Sequence, residues 1–129
     1  MDEKNLIEIS QRLKSAILFA GDFEGIKPTI RPHDLVFLDP PYTVSHNLNG
    51  FIKYNQKLFC IEDQYRLSNL IDYIKSVGAF YILTNAAHSK VFEIFDKGDT
   101  KVELNRVSIV GGVNAKRGRT SEYLFTNCV

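Results

Sequence analysis

Residues 35–42 read Leu35-Val36-Phe37-Leu38-Asp39-Pro40-Pro41-Tyr42, and the fold of the chain turns on this stretch. Its first four residues form a short, continuous apolar run, as expected for a strand buried on both faces of a parallel sheet. A stiff tetrapeptide follows. Each proline fixes its own φ and pushes the residue before it toward an extended backbone. Neither proline has an N–H, so nearby carbonyls are not consumed by local turns. The strand therefore ends in a rigid lip that carries a carboxylate (Asp39), an outward carbonyl (Pro40) and an aromatic ring (Tyr42). Two acceptors beside a flat π surface suit a planar heterocycle bearing an exocyclic amino group. Accepting from both N–H groups favours a pyramidal nitrogen and localises the lone pair that the ring otherwise delocalises. This is orientation and electrostatic preorganisation, not covalent catalysis. A base so presented has to leave its duplex stack, and stacking on the new ring offsets part of that cost.

Outward from this lip, the chain alternates strands with helices. Upstream, Leu6, Ile9, Leu13 and Ile17 recur at helical spacing after Asp2, a candidate N-cap. The β-leaning run Ala16–Ala20 then leads to Gly21-Asp22-Phe23, a short helix or turn spans 24–27, and Pro28 and Pro32 enforce a loop. Downstream, residues 43–61 form a long connection. A helix over Glu62–Val77 follows, with Leu67, Leu70, Ile71 and Ile74 on one face and Gly78 as its stop. Ala79–Thr84 reads as another buried strand, and 88–95 as a shorter helix with Val91, Phe92 and Phe95 inward. Residues 101–109 and 122–126 read as two final strands joined through Gly111-Gly112. The pattern predicts a single α/β domain over residues 1–129, with a mainly parallel sheet, a terminal antiparallel hairpin and helices on both faces. In such sheets ligands bind beyond the carboxyl ends of the strands, which draws attention to the loops after Ala20, Leu38 and Thr84.

Composition narrows the class. The chain has 129 residues, enough for one core, with 44% hydrophobic and 24% charged residues, as in ordinary folded proteins. Its apolar runs fall far short of a membrane span. No secretion leader is expected, and Met1 followed directly by a cappable helix reads as a translation start. Cys60 and Cys128 stand far apart, so neither a zinc knuckle nor a disulfide framework fits, and no metal site is expected. These features point to the cytoplasm. The formal net charge is only +1, but Arg106, Lys116, Arg117 and Arg119 fall within residues 105–121, where there is no acid. That segment is either a phosphate-contact surface or a solvated loop.

The tetrapeptide and its surroundings resemble a known family. Leu38-Asp39-Pro40-Pro41-Tyr42 is similar to the catalytic signature of S-adenosylmethionine-dependent DNA adenine-N6 methyltransferases of the Dam-like class. Gly21-Asp22-Phe23 precedes it at the distance of that family's Asp-Phe pair. Tyr54, Phe59, Glu62-Asp63-Gln64 and Leu67 resemble the stretch after the signature, and Ile82-Leu83-Thr84-Asn85 the next strand end. Residues 105–109 with Arg119, Glu122, Leu124 and Asn127 resemble the closing hairpin, so the likeness runs from about residue 16 to residue 127. It implies an incomplete Rossmann-like methyltransferase sheet. It further implies that Asp39 and the Pro40 carbonyl bind the target N6 amino group and that Tyr42 stacks on a flipped adenine. Asp39 would also lie near S-adenosylmethionine, whose adenine amine would be bound by Asp22 and whose adenine ring would pack on Phe23. The plain alternative is that Asp22 caps a helix and Phe23 fills the core. Tyr54 faces either the base or phosphate, or covers the core. Arg106, Lys116, Arg117 and Arg119 are the candidate DNA contacts, with Arg119 alternatively paired to Glu122. His33, His46 and His88 match no catalytic motif.

Parts of the family pattern have no counterpart in this sequence: the Phe-x-Gly-x-Gly cofactor loop, an acidic ribose ligand and a target-recognition region. The first strand is thereby left without an obvious neighbour, its apolar edge open. The chain thus reads as the catalytic half of a DNA adenine-N6 methyltransferase from a restriction–modification or phage-type system. Alone, it is expected to bind cofactor weakly and to methylate poorly. Its expected partners are DNA and either a second polypeptide carrying the missing motifs or further copies of itself. The competing readings are a non-catalytic DNA-binding or regulatory remnant and an RNA-base methyltransferase fragment.

Overall fold

The computed structural model describes residues 3–41, 59–107 and 119–128. Its elements are α1 (Glu3–Leu13), a 3-10 helix (Phe23–Thr29), β1 (Leu35–Leu38), α2 (Ile61–Ser76), β2 (Phe80–Ala86), α3 (Ser89–Phe95), β3 (Thr100–Val107) and β4 (Arg119–Thr126). The strands form one sheet in the order β1-β2-β4-β3. β1 runs parallel to β2, with Leu38 opposite Leu83. β4 is antiparallel to both β2 and β3. The expected terminal hairpin is present, and the parallel pair sits at the end of the sheet that bears the tetrapeptide.

The core is built on one face of this sheet. Leu67, Leu70, Ile71 and Ile74 of α2 are buried at helical spacing against Leu38, Tyr81, Leu83 and Phe125, with Val91, Ile94 and Phe95 from α3 alongside. Fully burying an aliphatic side chain of this size is worth about 1.5–3 kcal/mol, so this one stripe anchors the helix. α2 begins where the Cys60 N–H donates to Asp63 Oδ2 at 2.9 Å. It stops at Gly78, whose φ of +76° is left-handed backbone that glycine adopts without strain. α3 is capped by His88, whose Nδ1 accepts from the Lys90 N–H at 3.1 Å. Where β4 ends, the Asn127 amide extends the ladder. Its Oδ1 accepts from the Tyr81 N–H (2.8 Å) and its Nδ2 donates to the Ala79 carbonyl (3.1 Å).

Five expectations change. The sheet of described strands is not mainly parallel, since only one of its three pairings, β1 with β2, is parallel. Both sheet-packed helices lie on the same face, not on opposite ones: Phe95 and Tyr123 ring contacts bring α3 beside α2. Among the described residues nothing covers the other face, so β1 is not doubly buried there, and Leu35 and Phe37 are 59% and 62% exposed. Residues 16–20 form no strand, since a β-leaning run needs a ladder partner; Ile17 is 97% exposed. In α3 the inward residues are Val91, Ile94 and Phe95, while Phe92 lies at the rim against Tyr123 and Lys101. α1 is a helix as expected, yet none of its residues is buried.

Candidate active site

Two segments meet beyond the carboxyl end of β1. The sequence there is forced into position from both sides. Asp22 N-caps the 3-10 helix, its Oδ1 accepting from the Glu24 N–H at 3.0 Å. That helix packs on α2, and Phe23 turns its ring toward Phe59, with centroids 5.8 Å apart. From the other side, β1 carries Asp39, Pro40 and Pro41 past the edge of the sheet. Between them lies a cavity of about 510 Å³ lined by Gly21, Asp22, Phe23, Asp39, Pro40 and Arg66, among others. Its size falls within the range of small-molecule sites.

Asp39 is exposed at the cavity wall. Thr84, one residue beyond Leu83, which pairs with Leu38 in the parallel register, donates Oγ1–H to Asp39 Oδ1 at 2.7 Å. One carboxylate oxygen is thereby fixed, and Oδ2 is left as an acceptor for a ligand N–H. Pro40 is half-buried, in keeping with a rigid lip.

Arg66 dominates the opposite wall. Its Nη2 donates to both Asp22 oxygens (2.7 and 2.8 Å) and to Glu24 Oε2 (2.8 Å). Its Nε reaches Glu24 Oε2 at 3.0 Å, and Nη1 reaches Asp63 Oδ1 at 2.9 Å. The guanidinium carbon lies 4.8 Å from the Phe23 ring centroid, a cation–π distance. The Arg66 hydrogen bond, followed by the Glu24 N–H, holds the Asp22 carboxyl below its ordinary range. Glu24 is lowered first by Lys27 and then by Arg66. Asp63 is lowered chiefly by the Cys60 backbone N–H. Arg66 itself is held still more firmly in its charged form, Asp22 being the largest cause.

Of the residues singled out from sequence, Asp22, Phe23, Asp39 and Pro40 converge on this cavity. The plain reading of Asp22 as a cap and Phe23 as a ring packed on the core is realised, and both also line the cavity. Tyr42, Tyr54, Lys116 and Arg117 lie outside the described residues. Arg106 and Arg119 occupy ladder positions in β3 and β4, opposite Thr120 and Val107; their side chains lie outside the description. Sequence reasoning missed Arg66 and the role of Thr84. The only hint of Arg66 was its place three residues after Asp63 on the same helix. Among the described residues no group of His, Cys, Asp and Glu is arranged to hold a metal ion, and no helix is long and apolar enough to cross a membrane.

Comparison with known proteins places the chain in a family. Residues 1–109 match the family model of the D12 class N6 adenine-specific DNA methyltransferases, α1 included. The Type II methyltransferase M.MjaIII of Methanocaldococcus jannaschii is 31% identical over 91 residues, covering 70% of this chain and 32% of that protein. The DNA N-6-adenine-methyltransferase of Escherichia phage P1 is 31% identical over 83 residues, 64% of this chain and 11% of that protein. The Retron Ec67 DNA adenine methylase of Escherichia coli is 25% identical over 93 residues, 72% of this chain and 31% of that protein. The chain thus spans about a third or less of the relatives it matches.

Proposed function

Because the chain belongs to the D12 class of N6 adenine-specific DNA methyltransferases, we propose that its single domain is the base-activating portion of such an enzyme. The observation that carries this reading is the convergence of Asp22-Phe23 and Asp39-Pro40 on one cavity at the end of a parallel strand. Asp39 Oδ2 and the Pro40 carbonyl accept the two N–H bonds of adenine N6, and Tyr42 stacks on the flipped base. Thr84 keeps the Asp39 carboxylate from rotating. S-adenosylmethionine, held by Asp22 and Phe23, would supply an electrophilic methyl group toward the N6 that Asp39 and Pro40 orient. An acceptor (Asp22), an aromatic ring (Phe23) and sufficient volume fit the adenosine end of that molecule. Arg106, Lys116, Arg117 and Arg119 are the DNA-phosphate contacts. The two cysteines are free thiols, which suits a reducing cytoplasm.

Completion of the site needs the glycine-rich cofactor loop, supplied by a second polypeptide, or an oligomer of the chain, that covers the sheet face left open by the described residues. Leu35, Phe37, Phe80 and Val102 all lie on that face and are 37–62% exposed. The test is tritiated methyl transfer to DNA by the chain mixed with a polypeptide bearing a Phe-x-Gly-x-Gly loop. Activity only in the mixture, lost at least about 100-fold on Asp39→Ala, is the expected result. Unchanged activity in Asp39→Ala defeats the catalytic assignment. Transfer to RNA in preference to DNA supports the RNA-base alternative, and activity restored by self-association alone points to a homo-oligomer.

A further inference from the structure

Resting on the reading of this cavity as an adenosine site, we infer that Arg66 is an internal competitor for it, a side chain that occupies the adenine position and has to swing out before a nucleoside binds. An adenine ring would make two kinds of contact here: amine donation to the Asp22 carboxylate and packing on the Phe23 ring. Arg66 already makes both. Its guanidinium is planar and delocalised, donates to both Asp22 oxygens (2.7 and 2.8 Å), and sits 4.8 Å from the Phe23 centroid. One flat donor thus stands where another would lie.

The surrounding network tolerates its departure. Asp22 keeps the Glu24 N–H at 3.0 Å, Glu24 keeps Lys27 Nζ at 2.6 Å, and Asp63 keeps the Cys60 N–H at 2.9 Å. All three carboxylates therefore retain a partner once the guanidinium leaves. The side chain is also well placed to move: it is 38% exposed at the cavity wall. Apparent affinity scales with the fraction of molecules in the open state, so an arm docked about 90% of the time weakens binding about tenfold.

The test is calorimetric titration of the full chain with adenosine and with S-adenosylhomocysteine, comparing wild type with Arg66→Met and Arg66→Gln. Both substitutions are expected to tighten binding about tenfold, and Asp22→Asn in the Arg66→Met background to remove that gain. Two substitutions guard against one of them failing to fold, which circular dichroism reports. A second readout needs no affinity change: the Arg66 Nε–H resonance should lose its hydrogen-bonded shift when wild type is saturated with adenosine. Unchanged or weaker binding by both variants overturns the competition and leaves the adenosine reading standing. Absence of binding by wild type and every variant overturns both.

Discussion

Arg66 draws Asp22, Glu24 and Asp63 into one cluster, and the cluster has a pH signature. All three carboxyls titrate below their ordinary values in the folded chain. A depressed carboxyl contributes stability above its unfolded pKa and loses it as pH falls through the folded value. Melting temperature should therefore drop as pH is lowered from about 6 toward about 2, and Arg66→Met should flatten that drop. Identical acid limbs for wild type and variant would refute the coupling. Thr84 provides a second prediction. In the completed enzyme, Thr84→Val should cut the methyl-transfer rate about tenfold, with little change in KM for DNA. Thr84→Ser, which keeps the donor, should restore it; equal rates for the valine and serine variants would refute the positioning role. Asp39 and Pro40 were legible in sequence because their chemistry sits in a contiguous string behind an apolar run. Arg66 was not. Its main partner is 44 residues away, and no periodicity records a contact made across the fold.

At the scale of elements, legibility followed burial. The α2 stripe was readable because Leu67, Leu70, Ile71 and Ile74 are all buried on one face of one core. Leu70 and Ile71 are wholly buried; Leu70→Ala should cost about 2–5 kcal/mol in denaturant unfolding. A loss below about 1 kcal/mol would mean that the helix is not anchored as described. At its end, Gly78→Ala should cost about 1–2 kcal/mol from the left-handed backbone alone, since its Cβ would meet Pro32 Cβ at an ordinary 3.9 Å. Residues 16–20 misled because side chains set strand propensity while strand formation needs a hydrogen-bonding neighbour. β1 misled for a related reason. A continuous apolar run announces two covered faces, and only one is covered among the described residues.

At the scale of the whole molecule, the described residues make a one-sided sheet. α2 and α3 shelter one face of the sheet, and the other presents Leu35, Phe37, Phe80 and Val102. Exposed apolar surface of this kind marks an interaction site or a tendency to associate. Sedimentation of the purified chain should show association that grows with concentration, and Phe37→Lys should suppress it. A strictly monomeric chain at high concentration would refute this. The parallel pairing of β1 with β2 also has an evolutionary corollary. Leu38 stands opposite Leu83, so the next rung brings Asp39 level with Thr84. The ladder works as a ruler, and apolar residues along β1 can be exchanged without moving its marks. Adding or removing one residue inside β1 would turn alternate side chains to the opposite face and take Asp39 out of reach of Thr84. Drift in this segment should therefore accumulate as substitutions and almost never as changes of length.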